Sequence, residues 1–295
     1  HRAGLVMSGF VSPRTLQEAF DALADDGENL RLLSGATDVV VQVRDGRMSV
    51  RRYLNLSGLE RELRYIREEN GFIEMGALTT VSDLLRSDLI RRNARALRAA
   101  ALRFGSVKIQ IRNRATVEGN LGTASPAGEA LPPLLALDAQ VVLESASGVR
   151  DVSFDKYMFG PGKTARSSDE LITAVRFPVM RSGETSFYRR LDLRDALAVS
   201  VAGVAAKVRR EGSSPAAVSA ARVALGAVAP TVRRAPEAEE ALTAGPVRLD
   251  GLMDIGELAA RSASPISDVR ASAEYRKALI PRLFYQGMYD VLTEG

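Results

Sequence analysis

The sequence predicts an α+β protein of more than one unit, and three observations carry that expectation. Its 295 residues are 46% hydrophobic and 26% charged, the balance of a globular chain long enough for two or three subdomains. Up to Phe177, short apolar segments bounded by turn residues alternate with stretches of helical periodicity. Beyond the turn-rich stretch 178–183 the composition shifts to runs of Ala and Val and then to a long helical pattern.

The elements follow in order. Residues 1–7 have no periodicity and are set aside, Met7 being a candidate natural first residue. A T-x-x-E capping box at Thr15 and Glu18, with Leu16, Ala19, Phe20 and Leu23 at helical spacing, predicts a short amphipathic helix. Leu30, Leu32 and Leu33 predict a strand, residues 34–38 a tight turn, and the apolar run 39–43 a short helix or strand. Segments 53–56, 63–67 and 72–75 read as strands, the last two joined by an Asn-Gly turn at Asn70 and Gly71. One helix is expected from Ser82 and another within 89–104, where Leu89, Ala96, Leu97, Ala100 and Ala101 share one side. Arg91, Arg95 and Arg98 share another side, read as solvated, with a docking surface as the alternative. Small and polar residues make 105–126 irregular, either exposed or wrapped around a ligand. A helix over 131–137 and strands over 140–143 and 171–177 complete the first part. In the second, 196–208 and 218–228 fit strand and buried helix equally, a helix covers 237–242, and the last helical pattern runs over 267–292.

Missing residue types exclude much chemistry. With no Cys and one His, at position 1, the chain cannot build a thiolate or histidine zinc site, ligate an iron–sulfur cluster through cysteine, or act as a cysteine protease or Ser-His-Asp hydrolase. No apolar run reaches the roughly 18–20 residues of a membrane span, and no signal-peptide core precedes the first helix, so the cytoplasm is the expected compartment. The net charge of +4 is spread along the chain, which points to an anionic ligand rather than to nucleic acid.

Three loops could carry chemistry. Ser34, Gly35, Ala36, Thr37 and Asp38 follow a strand, so their N–H groups could cradle a phosphate, although an ordinary capped strand-to-helix turn fits as well. The second loop is the small and polar stretch that contains Thr116, Gly119, Asn120, Thr123 and Glu129. The third, Gly160-Pro161-Gly162-Lys163-Thr164, fails as a phosphate loop because Tyr157 stands where G-x-x-x-x-G-K-[ST] needs its first glycine. Lys163 is then a cation beside an anionic or aromatic ligand, or a solvated turn lysine.

Taken in order, these loops resemble the FAD-binding subunit of the molybdenum hydroxylases, the xanthine dehydrogenase and carbon monoxide dehydrogenase family. The resemblance rests on residues 33–38 for an A-G-G-T-D loop, Gly76-Ala77-Leu78-Thr79-Thr80, I-R-N-x-A-T-x-x-G-N-L from Ile111 to Leu121, Ser125-Pro126, and Asp169-Glu170-Leu171-Ile172. It continues through Arg194-Asp195-Ala196, the run from Leu225 to Thr231, and Glu274-Tyr275-Arg276. It implies a two-lobed FAD-binding domain of the PCMH type, with lobes at 1–57 and 58–178, and a C-terminal α+β domain of the carbon monoxide dehydrogenase flavoprotein type at 179–295.

By position, the resemblance implies that Ser34, Gly35, Ala36, Thr37 and Asp38 hold the pyrophosphate and that Thr116, Gly119, Asn120 and Thr123 complete its cradle. It places Glu129 at the adenosine portion, Ile172 against the flavin ring, and Arg190 where relatives often carry a lysine near the isoalloxazine. Ala36 replaces a glycine, so a positive φ there would cost about 1 kcal/mol. Glu118 replaces the first glycine of G-G-N and is expected to point to solvent or pair with Arg112 or Arg114. Glu129 lengthens the usual aspartate by one methylene.

The implied function is an FAD-dependent oxidoreductase subunit that passes electrons from partner iron–sulfur clusters to NAD, oxygen or a quinone. FAD is expected without a covalent bond. The molybdenum cofactor and 2Fe-2S clusters are expected in a large molybdenum subunit and a small iron–sulfur subunit, within a dimer of heterotrimers. No catalytic acid, base or nucleophile is assigned, because the chemistry belongs to the flavin. The alternatives are a self-sufficient FAD oxidase or reductase and a flavin-free scaffold subunit.

Overall fold

The computed structural model describes residues 9–105, 109–192, 199–211 and 217–293. The chain opens with strand β1 (Gly9–Val11), helix α1 (Leu16–Asp26), β2 (Leu30–Leu33), α2 (Val39–Arg44) and β3 (Arg52–Asn55). The three strands form a parallel sheet in the order β1-β3-β2. Thr15 caps α1 by accepting from the Glu18 N–H, which starts the helix where the capping box predicts it. Ala19, Phe20 and Leu23 then pack on Leu30, Leu54 and Leu56 as a first core. The apolar run after the 34–38 turn is the helix α2, which resolves the helix-or-strand alternative.

Helix α3 (Glu60–Leu63) takes the start of the expected third strand, so β4 begins only at Ile66 (Ile66–Glu69). It turns into β5 (Phe72–Gly76) through Asn70 and Gly71, both at positive φ (51° and 78°), the conformation an Asn-Gly hairpin turn requires. Next come α4 (Val81–Arg86), α5 (Asp88–Asn93) and α6 (Arg95–Arg103). The single helix expected over 89–104 is thus two, because Ala94 leaves the helical region (φ −151°, ψ 58°). The Asn93 side chain anchors the break, donating to Leu89 O (3.0 Å) and accepting the Met180 N–H (3.1 Å). On the arginine side, Arg91 and Arg95 are exposed as expected, Arg91 in an exposed pair with Asp88, whereas Arg98 is half-buried.

The stretch expected to be irregular contains α7 (Ile109–Arg114) and α8 (Val117–Thr123). Val117 and Leu121 are buried in the second core, so scattered small residues concealed a short packed helix. Then follow α9 (Leu131–Ala136), β6 (Gln140–Ser145), β7 (Gly148–Ser153), the ribbon β8 (Met158–Gly160) with β9 (Lys163–Thr164), and β10 (Leu171–Pro178). The second sheet is antiparallel, in the order β4-β5-β10-β6-β7.

The remaining elements are β11 (Glu184–Asp192), β12 (Ser200–Glu211), β13 (Ala217–Gly226), β14 (Arg233–Arg234), α10 (Pro236–Thr243), α11 (Leu252–Arg261) and α12 (Ala273–Thr293). The four strands pair antiparallel in chain order. Both Ala/Val runs are therefore strands, and their ambiguity has a cause. Ala205 and Ala224 of this sheet join the second core, while Val204, Ala206, Val223 and Leu225 face the core made with α10–α12. A strand buried on both faces loses the apolar/polar alternation that would mark it. The last helix starts six residues later than its pattern, since Asp268 and Ala271 close a bridged turn before it.

Candidate functional site

Two turns, one after β2 and one at the start of α8, face each other across a cleft of ≈ 340 Å³. The first is 34–38, where the chain leaves β2 after its last pairing with β3, Leu33 with Asn55. Ala36 sits at φ 60°, in the left-handed region, and its carbonyl accepts the Val40 N–H (3.2 Å) to start α2. Among the described residues, the main-chain N–H groups of Gly35, Ala36 and Thr37 bond to no protein acceptor. A Cβ on Gly35 would lie 2.0 Å from Arg114 O, so the turn reaches the opposite wall only as glycine.

The second turn is the start of α8. Thr116 Oγ1 accepts the Gly119 N–H (3.0 Å) as its cap. The segment 76–80 pins this turn: Val81 N–H bonds Ala115 O, Val117 N–H bonds Thr79 O, and Glu118 N–H bonds Ala77 O, each at 3.0 Å. The Gly-Ala-Leu-Thr-Thr motif is therefore a support for the second wall. Asn120 Oδ1 accepts the Ala130 N–H (3.3 Å), which ties the 125–129 loop to α8.

Side chains bridge the walls at two points. Thr123 Oγ1 donates to Asp38 Oδ2 (3.3 Å), and Gln42 donates to the same oxygen. Ser34 Oγ donates to Glu118 Oε2. Glu118 neither points to solvent nor pairs with Arg112 or Arg114, which corrects the expectation from sequence. It is 4% exposed, and Arg112 instead donates to Phe104 O and Leu102 O (3.2 and 2.7 Å). Burial pushes the Glu118 carboxyl above the usual carboxylate range, against the Ser34 hydrogen bond and the attraction of Arg166 and Arg31.

The cleft gathers ten of the residues singled out from sequence: Ser34, Gly35, Ala36, Thr37, Asp38, Thr116, Gly119, Asn120, Thr123 and Glu129. Three others lie outside its lining. Lys163 is exposed on β9, and Ile172 is fully buried in the core of the second sheet. Arg190 is sealed from solvent (side chain 1% exposed), with Glu129 and Asp192 each 3.0 Å away and a hydrogen bond to Arg103 O (2.9 Å). It reaches the cleft only through Glu129. The motif Arg194-Asp195-Ala196 lies outside the described residues.

Sequence reasoning missed Arg31 and Arg166 as cleft residues, together with the apolar Phe104, Ile111 and Val199. Arg31 alternates with Leu30 and Leu32 on β2, a period-two signal that could have placed it. Nothing distinguishes Arg166 among the many arginines; it is held by donating to Ser167 O and Glu170 O (3.0 and 2.7 Å).

The arrangement fits an elongated anionic ligand with an apolar part. Free N–H donors and two arginines answer phosphate charge, Gly119 and Gly122 keep the α8 wall low, and Phe104 and Ile111 supply apolar surface. No group of three or more His, Cys, Asp or Glu among the described residues could hold a metal ion, and no helix there is long and apolar enough to cross a membrane.

Comparison with known proteins agrees with this geometry. Residues 6–180 match the family of the FAD binding domain in molybdopterin dehydrogenase, and 186–291 match the CO dehydrogenase flavoprotein C-terminal domain. The chain is 34% identical over 268 residues to the xanthine dehydrogenase FAD-binding subunit of Escherichia coli O157:H7, covering 90% of this chain and 89% of that one. It is 29% identical to the nicotinate dehydrogenase FAD-subunit of Eubacterium barkeri, over 97% and 96% of the two chains. A chain of carbon monoxide dehydrogenase from Hydrogenophaga pseudoflava, in a structure lacking the Mo-pyranopterin moiety, superposes with a TM-score of 0.89 at 26% identity, over 96% of each chain. This chain thus belongs to the family of FAD-binding subunits of the molybdopterin dehydrogenases.

Proposed function

We propose that the chain is the FAD-carrying subunit of a molybdenum-containing hydroxylase or dehydrogenase, working beside a small iron–sulfur and a large molybdenum subunit. We place the complex in the cytoplasm as a dimer of heterotrimers. The observation that carries the reading is the cleft in which the N–H groups of Gly35, Ala36 and Thr37, without an acceptor among the described residues, stand opposite Gly119. Relatives matched over most of their length are subunits of larger enzymes, which supports this reading over a self-sufficient oxidase.

Bound FAD would supply a redox centre between the partner's clusters and an external acceptor. The chain's own residues bind and orient it. Residues 34–38 would hold pyrophosphate oxygens through main-chain donors, and Thr116 would keep the start of α8 in place by its cap. Asp38, fixed by Thr123 and Gln42, would hold the walls in register. Glu129, held by Arg190, would carry the position of the C-terminal sheet into the cleft. The chain's two parts therefore meet at the cofactor, with lobes at 1–57 and 58–178 and the C-terminal domain at 179–295.

The test is made on the purified full chain. One FAD per chain, wholly released by acid precipitation, is expected, and dithionite should bleach it. An organic substrate should leave the isolated chain's flavin oxidised and bleach it only when both partner subunits are added. Direct bleaching by that substrate would overturn the subunit reading in favour of the oxidase.

A further inference from the structure

Glu118 is an anomaly in a phosphate cradle. Its carboxyl is buried, lines the cleft, and lies with Oε1 3.1 Å from where a Cβ on Gly122 would stand. Among the described residues, the one side chain that hydrogen-bonds it is Ser34, across the cleft. The charged and titratable groups around it are Arg31 on β2, Arg166 beyond β9, the buried Tyr157 hydroxyl and the Asp38 carboxylate in the same cleft. None of these makes an ion pair with Glu118 within 4 Å. Arg166 is occupied by two carbonyls, Tyr157 donates to Leu121 O (3.4 Å), and Asp38 is held by Thr123 and Gln42.

A hydroxyl has one hydrogen to give, so the direction of the Ser34–Glu118 bond depends on Glu118. An ionised Glu118 takes the Ser34 hydrogen and leaves oxygen lone pairs and a negative charge facing the cleft. A protonated Glu118 gives its own hydrogen to Ser34 Oγ, and the Ser34 O–H is then free to turn toward a ligand oxygen.

We propose that Ser34 and Glu118 act as a proton-dependent hydrogen-bond donor to the phosphates of FAD, so that cofactor affinity is coupled to the protonation of Glu118. The proposal rests on this cleft being the FAD site. Its physical basis is that phosphate and an ionised, unpaired carboxylate cannot share a cleft of low dielectric without one of them losing charge. Burial, which pushes the Glu118 carboxyl above the usual carboxylate range in the free chain, agrees with that demand.

The experiment measures FAD dissociation constants of the full chain, stripped of flavin, from pH 6 to 9, with proton exchange read by calorimetry in two buffers of different ionisation enthalpy. The wild-type affinity is expected to fall by up to about tenfold per pH unit once pH passes the Glu118 value, with proton uptake on binding. Glu118→Gln, whose amide donates to Ser34 at every pH, should bind with a flat profile and tightest relative to wild type at pH 9. Ser34→Ala should bind more weakly at pH 6, where the donor is lost. Superimposable pH profiles for wild type and Glu118→Gln overturn the proposal. Gly119→Asp separates this from failure of the site itself: retained FAD affinity in that variant removes the cleft as the site, and the proposal with it.

Discussion

The cleft at 34–38 and α8 can be set against a second cavity, a groove of ≈ 660 Å³ between α5, α6, β11 and the end of α12. The groove is the larger and carries Arg92, Arg95, Arg189 and Arg210 beside Glu184 and Asp290. Its charges are nevertheless engaged within the protein. Arg189 pairs with Asp290, Arg210 donates to Val291 O (2.8 Å), Arg92 donates to Asp88 O (3.3 Å), and Arg95 also has a partner. In the smaller cleft, among the described residues, three main-chain N–H groups have no protein acceptor and the one side chain hydrogen-bonded to the buried Glu118 carboxyl is Ser34. A donor set without protein acceptors, rather than volume, is what distinguishes the smaller cleft and supports the proposed ligand site there.

The strongest way to break this comparison is Gly35→Ala. A Cβ 2.0 Å from Arg114 O must force the two walls apart. FAD affinity, followed by flavin fluorescence, should drop by about 100-fold or more, while Arg92→Ala in the groove should leave it within about twofold. An equal loss in both variants would show that the groove takes part in binding.

Next in size is a contrast between buried carboxyls. Glu170 receives both a bidentate Arg150 and the Ser167 N–H, and these hold its carboxyl below its ordinary 4.5, whereas Glu118 is pushed above it by burial. The signs are opposite. The stabilisation from Glu170 is present above about pH 4.5 and is lost as pH falls through its folded value. Glu118 costs stability increasingly as pH rises from 4.5 toward its raised folded value. In chemical denaturation of the flavin-free chain, Glu170→Gln should lose about 1–2 kcal/mol at pH 7, and the deficit should shrink below pH 4.5. Glu118→Gln should gain stability over wild type as pH rises above 4.5 toward the raised folded value of Glu118, by about 1.4 kcal/mol per pH unit at most, and the gain should level off beyond that value. A gain that shrinks with pH would mean that Glu118 is ionised and paired.

Ala36→Gly sharpens the comparison more gently. Removing a side chain at φ 60° should stabilise the fold by up to about 1 kcal/mol and leave FAD affinity equal or better. In the groove, Asp290→Asn unpairs Arg189, but both side chains are more than a third exposed, so a change of about 0.5 kcal/mol or less is expected, without effect on FAD.

Much of the cleft was legible because its chemistry is local. Turn 34–38 and the cap at Thr116 are dictated by small and polar residues within a few positions of one another. Glu118 was visible as an intruder, yet its destination was not, since the partner that takes it lies 84 residues away. The resemblance places Arg190 near the ligand by position alone, and the ion pair that ties it to Glu129 depends on the approach of β11 to the 125–129 loop, which no local pattern announces. The break at Ala94 likewise depends on Met180, from another part of the chain.

By itself the sequence determined the α+β class, the capping of α1, the Asn-Gly hairpin and the two turns that form the cleft, because each depends on backbone preferences and hydrogen bonds spanning a few residues. It also determined what the chain cannot do, since chemistry without Cys and with one His is a matter of composition. Tertiary structure alone decided that the Ala/Val runs are strands, that Arg190 and Ile172 are buried outside the cleft lining, and that Glu118 bonds Ser34. These outcomes depend on which surfaces lose water against each other, and burial of both faces of a strand, or of a carboxyl without an ion pair, is a property of the packed whole.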